Sequence, residues 1–195
     1  QTAWMQEPIR LKALLAAFNR PLPPPEEFER FISDSAKNQA SARSLFGYLG
    51  FKRYTSIDID AAHGAIAIDL NFDEVPEEHR GAYGFTTNLG TSEHILNQAN
   101  VFKAIHDLTA TGGLMLHVVP FIGFFDHGFF NYQPNFFEAI ARYNDYRVAG
   151  LWVNHEPELE FAPLLEWCGR NHVFEAGQNY LLVALLRKTR DAPFF

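Results

Sequence analysis

Two β-prone apolar runs of this chain each end on an aspartate. Residues 54–58 end on Asp58, with Asp60 just beyond, and residues 65–69 end on Asp69. An acid at the carboxyl end of a buried parallel strand lies at the edge where open α/β sheets bind their ligands. One carboxylate can accept hydrogen bonds from two hydroxyl groups. The aspartates therefore predict a site for a ribose-bearing ligand; for Asp69, a capping role after the strand is an equal alternative.

A second group of residues has the chemistry of a proton acceptor. Asp126 directly precedes His127 and Gly128, and Tyr132 follows in the same segment. A neighbouring carboxylate can orient an imidazole, so His127 is predicted to take a proton from a hydroxyl or an amine. The surrounding phenylalanines, Phe125 among them, predict a mostly apolar pocket with a few polar groups. The alternative is that His127 only stabilises the loop and that the phenylalanines belong to the core.

The stretch 87–95 contains a Glu93–His94 pair. From the residues alone, this pair can be a capping acid beside a packed histidine. Gly90 would let the backbone of this stretch approach a ligand closely. None of the eight histidines forms the i, i+4 pair typical of a helical metal site. Metal binding by histidine is therefore not predicted, and only a site assembled from scattered residues stays open.

The composition limits the classes of protein that the chain can represent. Its 195 residues are 47% hydrophobic, which is enough to bury the core of one domain. The net charge of −7 argues against binding nucleic acid through phosphate contacts. A single cysteine, Cys168, excludes an internal disulfide and favours a reducing, cytoplasmic environment. No apolar run is long enough to cross a bilayer, so no membrane partner is expected.

Strand-like and helix-like segments alternate along most of the chain. Residues 9–18 predict a helix that ends before the prolines of 21–25, and residues 26–32 are ambiguous between helix and strand. We therefore expect an N-terminal helical arm with a proline-rich connector over 1–25, and one α/β domain over 26–195. Further helices are predicted over residues 41–49, 97–108, 134–143 and 158–167, and strands over residues 53–59, 65–70, 82–88, 114–120, 146–153 and 180–187. This alternation predicts an α/β fold with a doubly wound, mostly parallel, Rossmann-like sheet flanked by helices.

The order of these segments resembles that of class I S-adenosylmethionine-dependent methyltransferases that act on small molecules. The resemblance covers roughly residues 33–153. The stretch 34–40 stands where the family has an acidic, glycine-rich loop around the methionine part of the cofactor. The resemblance implies that Asp34, Ala36 and Asn38 bind the cofactor there, although small residues replace the usual glycines.

Later segments carry the rest of the implied cofactor site. By the resemblance, Asp58 accepts both ribose hydroxyls and Asp69 reads the adenine amino group. Asn88 and Gly90 belong to the stretch that resembles the loop after the family's fourth strand. In many members this loop carries a Glu-His pair beneath the transferred methyl group, and Glu93–His94 matches that pair.

The segment with Asp126 and His127 resembles the substrate side of such enzymes, where an Asp-His-Gly is followed by aromatic residues and proline. This resemblance implies that Asp126, Tyr132 and Phe125 contact the acceptor. It also implies that His127 is the catalytic base, with His94 as the second candidate.

The implied activity is an enzyme that transfers a methyl group from S-adenosylmethionine to a hydroxyl or amine of a small molecule. Alignment of the reactants supplies most of the catalysis in such a reaction. A catalytically inactive, methyltransferase-like binding module is the alternative, because the cofactor loop lacks glycines. A nicotinamide-dependent oxidoreductase ranks last, since it requires the glycine fingerprint more strictly. A homo-oligomer formed through the N-terminal helix stays open.

Overall fold

The chain divides into two units, Gln1–Ala67 and Ile68–Phe195. In the part of the chain that the structure describes, no helix combines the length and apolar character needed to span a membrane. Asn38 and Cys168, both singled out from the sequence, lie outside the described residues. The structure is a computed structural model, and it describes residues 8–36, 42–155, 160–164 and 177–195.

Three short helices build the core of the first unit. They are α1 (Pro8–Ala17), α2 (Pro25–Ala36) and α3 (Ala42–Tyr48). Pro25 stands at the start of α2, where its fixed φ suits a helix and its missing N–H leaves no bond unmade. The helix predicted over 9–18 is confirmed, and the ambiguous stretch 26–32 is helical. The apolar faces meet in a buried cluster of Leu11, Leu15, Phe31 and Leu45.

The two strands that end near aspartates are much shorter than the sequence predicts. Only β1 (Ile57–Asp58) and β2 (Ile66–Ala67) form, and they pair in parallel as a separate two-stranded sheet. Between them the backbone turns through Ala61 and His63, both at φ 55°. Ile59 is 69% exposed. Apolar, β-branched residues form a strand only where a sheet packs around them, and here that packing ends after two residues.

The described residues of the second unit include a five-stranded mixed sheet and two α-helices. Its elements are β3 (Tyr83–Leu89), α4 (Gln98–Leu108), β4 (Thr109–Ile122), α5 (Pro134–Tyr143), β5 (Arg147–His155), β6 (Glu160–Pro163) and β7 (Tyr180–Arg187). The strands lie in the order β3–β4–β7–β5–β6. β3 and β4 are parallel, and the three other neighbouring pairs are antiparallel.

The predicted doubly wound, mostly parallel sheet is therefore wrong. β7, the last strand in the chain, runs antiparallel to both of its neighbours, β4 and β5. A helix between two strands permits parallel pairing, but it does not fix where a later strand enters the sheet or in which direction. The helix predicted over 158–167 is also wrong over Glu160–Pro163, which form β6 against β5.

The other elements predicted for this unit are confirmed with shifts of one or two residues at their ends, except that β4 begins at Thr109, five residues before the predicted start. α4 begins after Asn97, whose side chain accepts a hydrogen bond from the backbone N–H of Asn100. α5 begins at Pro134. Alternate residues of β4 are buried, as expected where helices cover one face of a strand. The core packs residues of both helices against the sheet: Val101, Phe102, Ile105, Met115, Val119, Phe137, Ala141 and Leu182.

The carboxyl ends of the parallel strands β3 and β4 bring two loops to the same edge of the sheet. Leu89, the last residue of β3, lies opposite Val118 of β4. Gly90 then turns with φ 70°, and its N–H donates to the carbonyl oxygen of Val118 at 3.0 Å. The positive φ favours glycine at this position. The loop after β3 and the loop after β4 therefore meet near this edge.

Candidate functional site

Glu93, His94 and His127 come together from the two loops that follow β3 and β4. The Oε1 atom of Glu93 lies 3.8 Å from Nε2 of His94 and 3.7 Å from Nε2 of His127. The two imidazole rings stand edge to face, with centroids 5.1 Å apart and an interplanar angle of 62°. Both histidines predicted as proton acceptors thus face one carboxylate. We call these three residues the Glu93 triad.

Glu93 is the buried member of the triad. Its side chain is 1% exposed, whereas those of His94 and His127 are each 46% exposed. Among the residues that the structure describes, neither carboxylate oxygen has a hydrogen-bond partner. A carboxylate held out of water is costly unless a positive charge or a metal ion compensates it. The site is therefore arranged to hold positive charge on the side of the two imidazoles.

A buried polar network fixes the turn that carries Glu93 and His94. The turn spans Ser92–His94. Asn88 Nδ2 donates to Ser92 Oγ at 2.8 Å, and the backbone N–H of Ser92 donates to Asn88 Oδ1 at 3.1 Å. Asn88 Nδ2 also lies 3.4 Å from Nδ1 of His117. Complete burial lowers the pKa of His117 to about 3, so its ring is neutral and Nδ1 can accept from the amide.

The loop that carries His127 has an unusual backbone conformation. Gly123, Phe124 and Asp126 have φ values of 79°, 51° and 55°. The N–H of Phe124 donates to Asn179 Oδ1 at 2.8 Å, and a Cβ on Gly123 would stand 2.4 Å from the same oxygen. Non-glycine residues keep a positive φ only where the surrounding structure holds them there. The contact with Asn179 is one such constraint, and it fixes the backbone of the segment that leads to His127.

Gln98, the first residue of α4, connects the two loops. Its Nε2 donates to the carbonyl oxygen of Ser92 at 2.8 Å, and its Oε1 accepts from the Tyr132 hydroxyl at 2.7 Å. The backbone N–H of Tyr132 donates to the carbonyl oxygen of Pro120 at 2.7 Å. Burial, reinforced by the nearby charge of Glu93, raises the pKa of Tyr132 to about 12. The phenol therefore stays protonated and remains a donor to Gln98.

Predicted cofactor residues of the first unit occupy a helix and a short strand. Asp34 and Ala36 lie in the last turn of α2, and Asp58 ends β1 with an exposed side chain. The loop expected around Asp34 is thus helical as far as Ala36, and Asn38 lies beyond the described residues. The cofactor contacts assigned to these residues stay predictions.

Asp69 belongs to a turn that leads towards the start of α4. Its Oδ1 accepts from the backbone N–H of Asn71 at 2.9 Å and from Asn71 Nδ2 at 3.2 Å. Asn71 in turn accepts, through Oδ1, from the backbone N–H groups of Leu96 and Asn97 at 3.1 and 3.2 Å. This turn is the structural alternative weighed for Asp69. Its adenine contact stays a prediction.

An open depression lies over the triad, and Asp126 is the residue predicted on the substrate side that lines it. The depression is lined by His94, Asp126, His127, Gly128 and Phe129. Phe125 is 99% exposed, whereas Tyr132 is only 4% exposed. Their predicted contacts with an acceptor stay predictions. The predicted site residues that the structure brings to this depression are His94, Asp126 and His127.

No protein-family model and no curated protein matches this chain. Function must therefore be argued from the chemistry of the residues themselves. The Glu93 triad suits two kinds of chemistry, because an imidazole beside a carboxylate can accept a proton and the same three groups can bind a metal ion. Both uses need the open side of the depression, where the imidazoles meet solvent.

The role of Glu93 and of the residues that support it is not evident from the sequence. Glu93 is predicted only as the partner of His94 or as a cap, although its carboxylate is the centre of the site. Gln98 is not predicted as part of the site, and the sequence indicates for Ser92 only a candidate N-cap of the next helix. A local signal existed for Ser92, because Asn and Ser four residues apart around a glycine can bridge a turn.

Proposed function

We propose that the protein transfers a methyl group from S-adenosylmethionine to a hydroxyl or amine of a small molecule. The meeting of His94 and His127 at Glu93, within 3.8 Å, is the observation that carries this proposal. The resemblance assigns Glu93–His94 to the region beneath the transferred methyl group and Asp126–His127 to the acceptor side. Their convergence from separate loops supports both assignments, although the predicted parallel sheet is absent.

His127 is the proton acceptor in this proposal. Glu93 faces Nε2 of the ring, so the carboxylate favours the tautomer that carries its proton on Nε2. Nδ1 then has a free lone pair that can take the proton of the acceptor hydroxyl or amine. Glu93 compensates the positive charge that forms on the ring. His94, whose Nε2 faces the same carboxylate, is the second candidate.

The acidic residues fit the cofactor in part. When bound, S-adenosylmethionine supplies a methyl group activated by a positively charged sulfur. Asp58 has an exposed carboxylate at the end of β1, which can accept both hydroxyls of a ribose. Gly90, at φ 70°, offers a backbone without a side chain near its N–H. In this proposal Gly90 approaches the cofactor from the loop that also carries Glu93 and His94, and the proton chemistry belongs to the triad.

A calorimetric titration with S-adenosylmethionine and S-adenosylhomocysteine tests cofactor binding. We expect binding of both by the wild-type protein and at least a tenfold weaker affinity in Asp58→Asn, because the ribose loses a charged acceptor worth about 1.5–3 kcal/mol. Asp60→Asn is the matched neighbour, since Asp60 already accepts from the N–H of Ala62 at 2.8 Å. Absence of binding to the wild-type protein would overturn the proposal.

Catalysis is tested with radiolabelled S-adenosylmethionine and the small-molecule fraction of a cell extract. The wild-type protein is expected to label at least one product, and His127→Asn to lose most of that activity while still binding S-adenosylhomocysteine. Equal labelling by the two proteins would remove His127 as the base.

A non-catalytic binding module is the second candidate, and the position of Asp34 favours it. The family's cofactor loop follows a strand, whereas Asp34 and Ala36 lie in helix α2. This candidate predicts that S-adenosylhomocysteine binds but that no acceptor in the extract is labelled.

A further inference from the structure

We infer that Glu93, His94 and His127 form a binding site for a divalent transition-metal ion. Two imidazoles and one carboxylate are a common protein ligand set for Zn²⁺ and for non-haem Fe²⁺, and they leave coordination positions open. One ligand atom from each residue lies within 4.8 Å of the other two. The inference stands on this geometry and on the burial of Glu93, and it does not depend on methyl transfer.

The two spacings between Glu93 and the imidazoles are close to those of a metal-bound set. With bonds of about 2.0–2.2 Å, two donor atoms of a tetrahedral zinc site stand roughly 3.3–3.5 Å apart. The distances from Glu93 Oε1 to the two Nε2 atoms are 3.8 and 3.7 Å. Both are too long for a direct hydrogen bond and exceed the metal-bound spacing by only a few tenths of an ångström. A small rotation of the half-exposed imidazoles would bring the two Nε2 atoms to metal-bound spacing from Glu93 Oε1.

The environment of Glu93 supplies the second, independent observation. Both of its oxygens are buried without a hydrogen-bond partner among the described residues. Gly128 covers the carboxylate stem, since a Cβ placed there would stand 3.0 Å from Glu93 Cγ. Charges buried in this way are normally paired or coordinate a metal. A dication between the three ligand atoms would compensate Glu93 and leave its open side to water or substrate.

A bound ion would change the role of the histidines. An imidazole that binds metal through Nε2 carries its remaining proton on Nδ1, so it no longer accepts a proton there. The ion would therefore replace His127 as the group that activates an acceptor, by binding the acceptor oxygen at an open position. Metal binding and the base role of His127 are thus separable by experiment.

Titration of the untagged, chelator-treated protein with Zn²⁺ and with Co²⁺ tests the inference. We expect one Zn²⁺ per chain in calorimetry, and a Co²⁺ complex whose visible absorption reports nitrogen and oxygen ligands. Glu93→Gln, His94→Asn and His127→Asn should each weaken Zn²⁺ binding by at least the roughly 10–100-fold that follows loss of a supporting residue. His63→Asn is the matched control, because His63 is exposed and lies in the first unit.

Each outcome decides the inference. Stoichiometric binding that the three triad substitutions weaken and His63→Asn preserves supports the site. Absence of Zn²⁺ and Co²⁺ binding to the wild-type protein overturns it, and so does binding that only His63→Asn weakens. Circular dichroism checks that each variant is folded, and the wild-type cobalt spectrum remains decisive if Glu93→Gln fails to fold. A protein that binds Zn²⁺ but not S-adenosylhomocysteine would sink the proposed function alone.

Discussion

Gly128 lies so close to Glu93 that a Cβ on Gly128 would stand 3.0 Å from both Cγ and the carbonyl oxygen of Glu93. The N–H of the next residue, Phe129, donates to that same carbonyl oxygen at 2.7 Å. A side chain at position 128 would therefore press against Glu93, and the loop after β4 would have to shift by a few tenths of an ångström. This contact places His127, the residue before Gly128, next to Glu93.

Replacing Gly128 by alanine should displace the loop from Glu93. We expect the free energy of unfolding to fall by about 1–3 kcal/mol, as for other overpacked sites, and Zn²⁺ affinity to fall with it. Gly84→Ala is the control, because a Cβ at Gly84 would meet nothing within 4 Å. Denaturant unfolding and zinc titration measure both effects. Equal behaviour of the two variants would mean that the contact does not hold the loop.

The helices and most strands of the second unit could be predicted because their residues carry a local pattern. α4 and α5 have apolar residues at helical spacing, with Asn97 capping one and Pro134 opening the other. The direction of β7 could not be predicted in this way. Its residues are buried between β4 and β5 whether it runs parallel or antiparallel, so the hydrophobic pattern is the same in both cases.

Only those residues of the candidate site could be predicted whose function follows from their type and their sequence neighbours. His127 was identified because Asp126 precedes it, and His94 because Glu93–His94 matches the Glu-His pair of the family that the chain resembles. Glu93 was undervalued, because burial of its carboxylate arises from the loop after β4, far along the chain. Asp58 and Asp69 drew attention as strand ends, yet the strands there are only two residues long. Long-range packing, which sequence spacing does not contain, decides these cases.

Tyr132→Phe should loosen the connection between the two loops of the site. The substitution removes the hydrogen bond from the Tyr132 hydroxyl to Gln98 and leaves the Gln98 oxygen without that donor. We expect a loss of about 0.5–1.5 kcal/mol in the free energy of unfolding. Tyr143→Phe, at a 53% exposed position, is the control and should change little. Identical denaturation curves for Tyr132→Phe and the wild type would contradict the prediction.

Alkaline pH should weaken the same connection in the wild-type protein. Burial raises the pKa of Tyr132 from 10.0 to about 12. A raised pKa in the folded state stabilises the protein fully below pH 10, and this contribution is lost as the pH rises from 10 towards 12. The difference in unfolding free energy between wild type and Tyr132→Phe should therefore shrink over that range. A constant difference from pH 9 to pH 11.5 would argue against a buried, protonated phenol.

His117 should make the protein sensitive to acid. Burial lowers its pKa from 6.5 to about 3, so the unfolded chain binds a proton at pH values where the folded protein does not. Stability from this group is present above pH 6.5 and is lost as the pH falls towards 3, by up to about 1.4 kcal/mol per pH unit. The stability advantage of the wild type over His117→Gln should shrink by about 3 kcal/mol from pH 7 to pH 4. Met115→Leu, a substitution without a titrating group in the same strand, should keep a constant difference.

The effects of substituting Asn88 and Ser92 should be coupled, because the two residues hydrogen-bond to each other. Asn88 donates to the Ser92 hydroxyl and accepts from the Ser92 backbone, and both residues are buried. Asn88→Ala leaves the N–H of Ser92 without its acceptor and is expected to cost about 1–3 kcal/mol. Ser92→Ala removes only the hydroxyl and should cost less. In a double-mutant cycle, the coupling energy should exceed the roughly 0.3–0.5 kcal/mol scatter of independent sites. Additive effects would instead mean that the turn carrying Glu93 and His94 is held by Gln98 and the backbone alone.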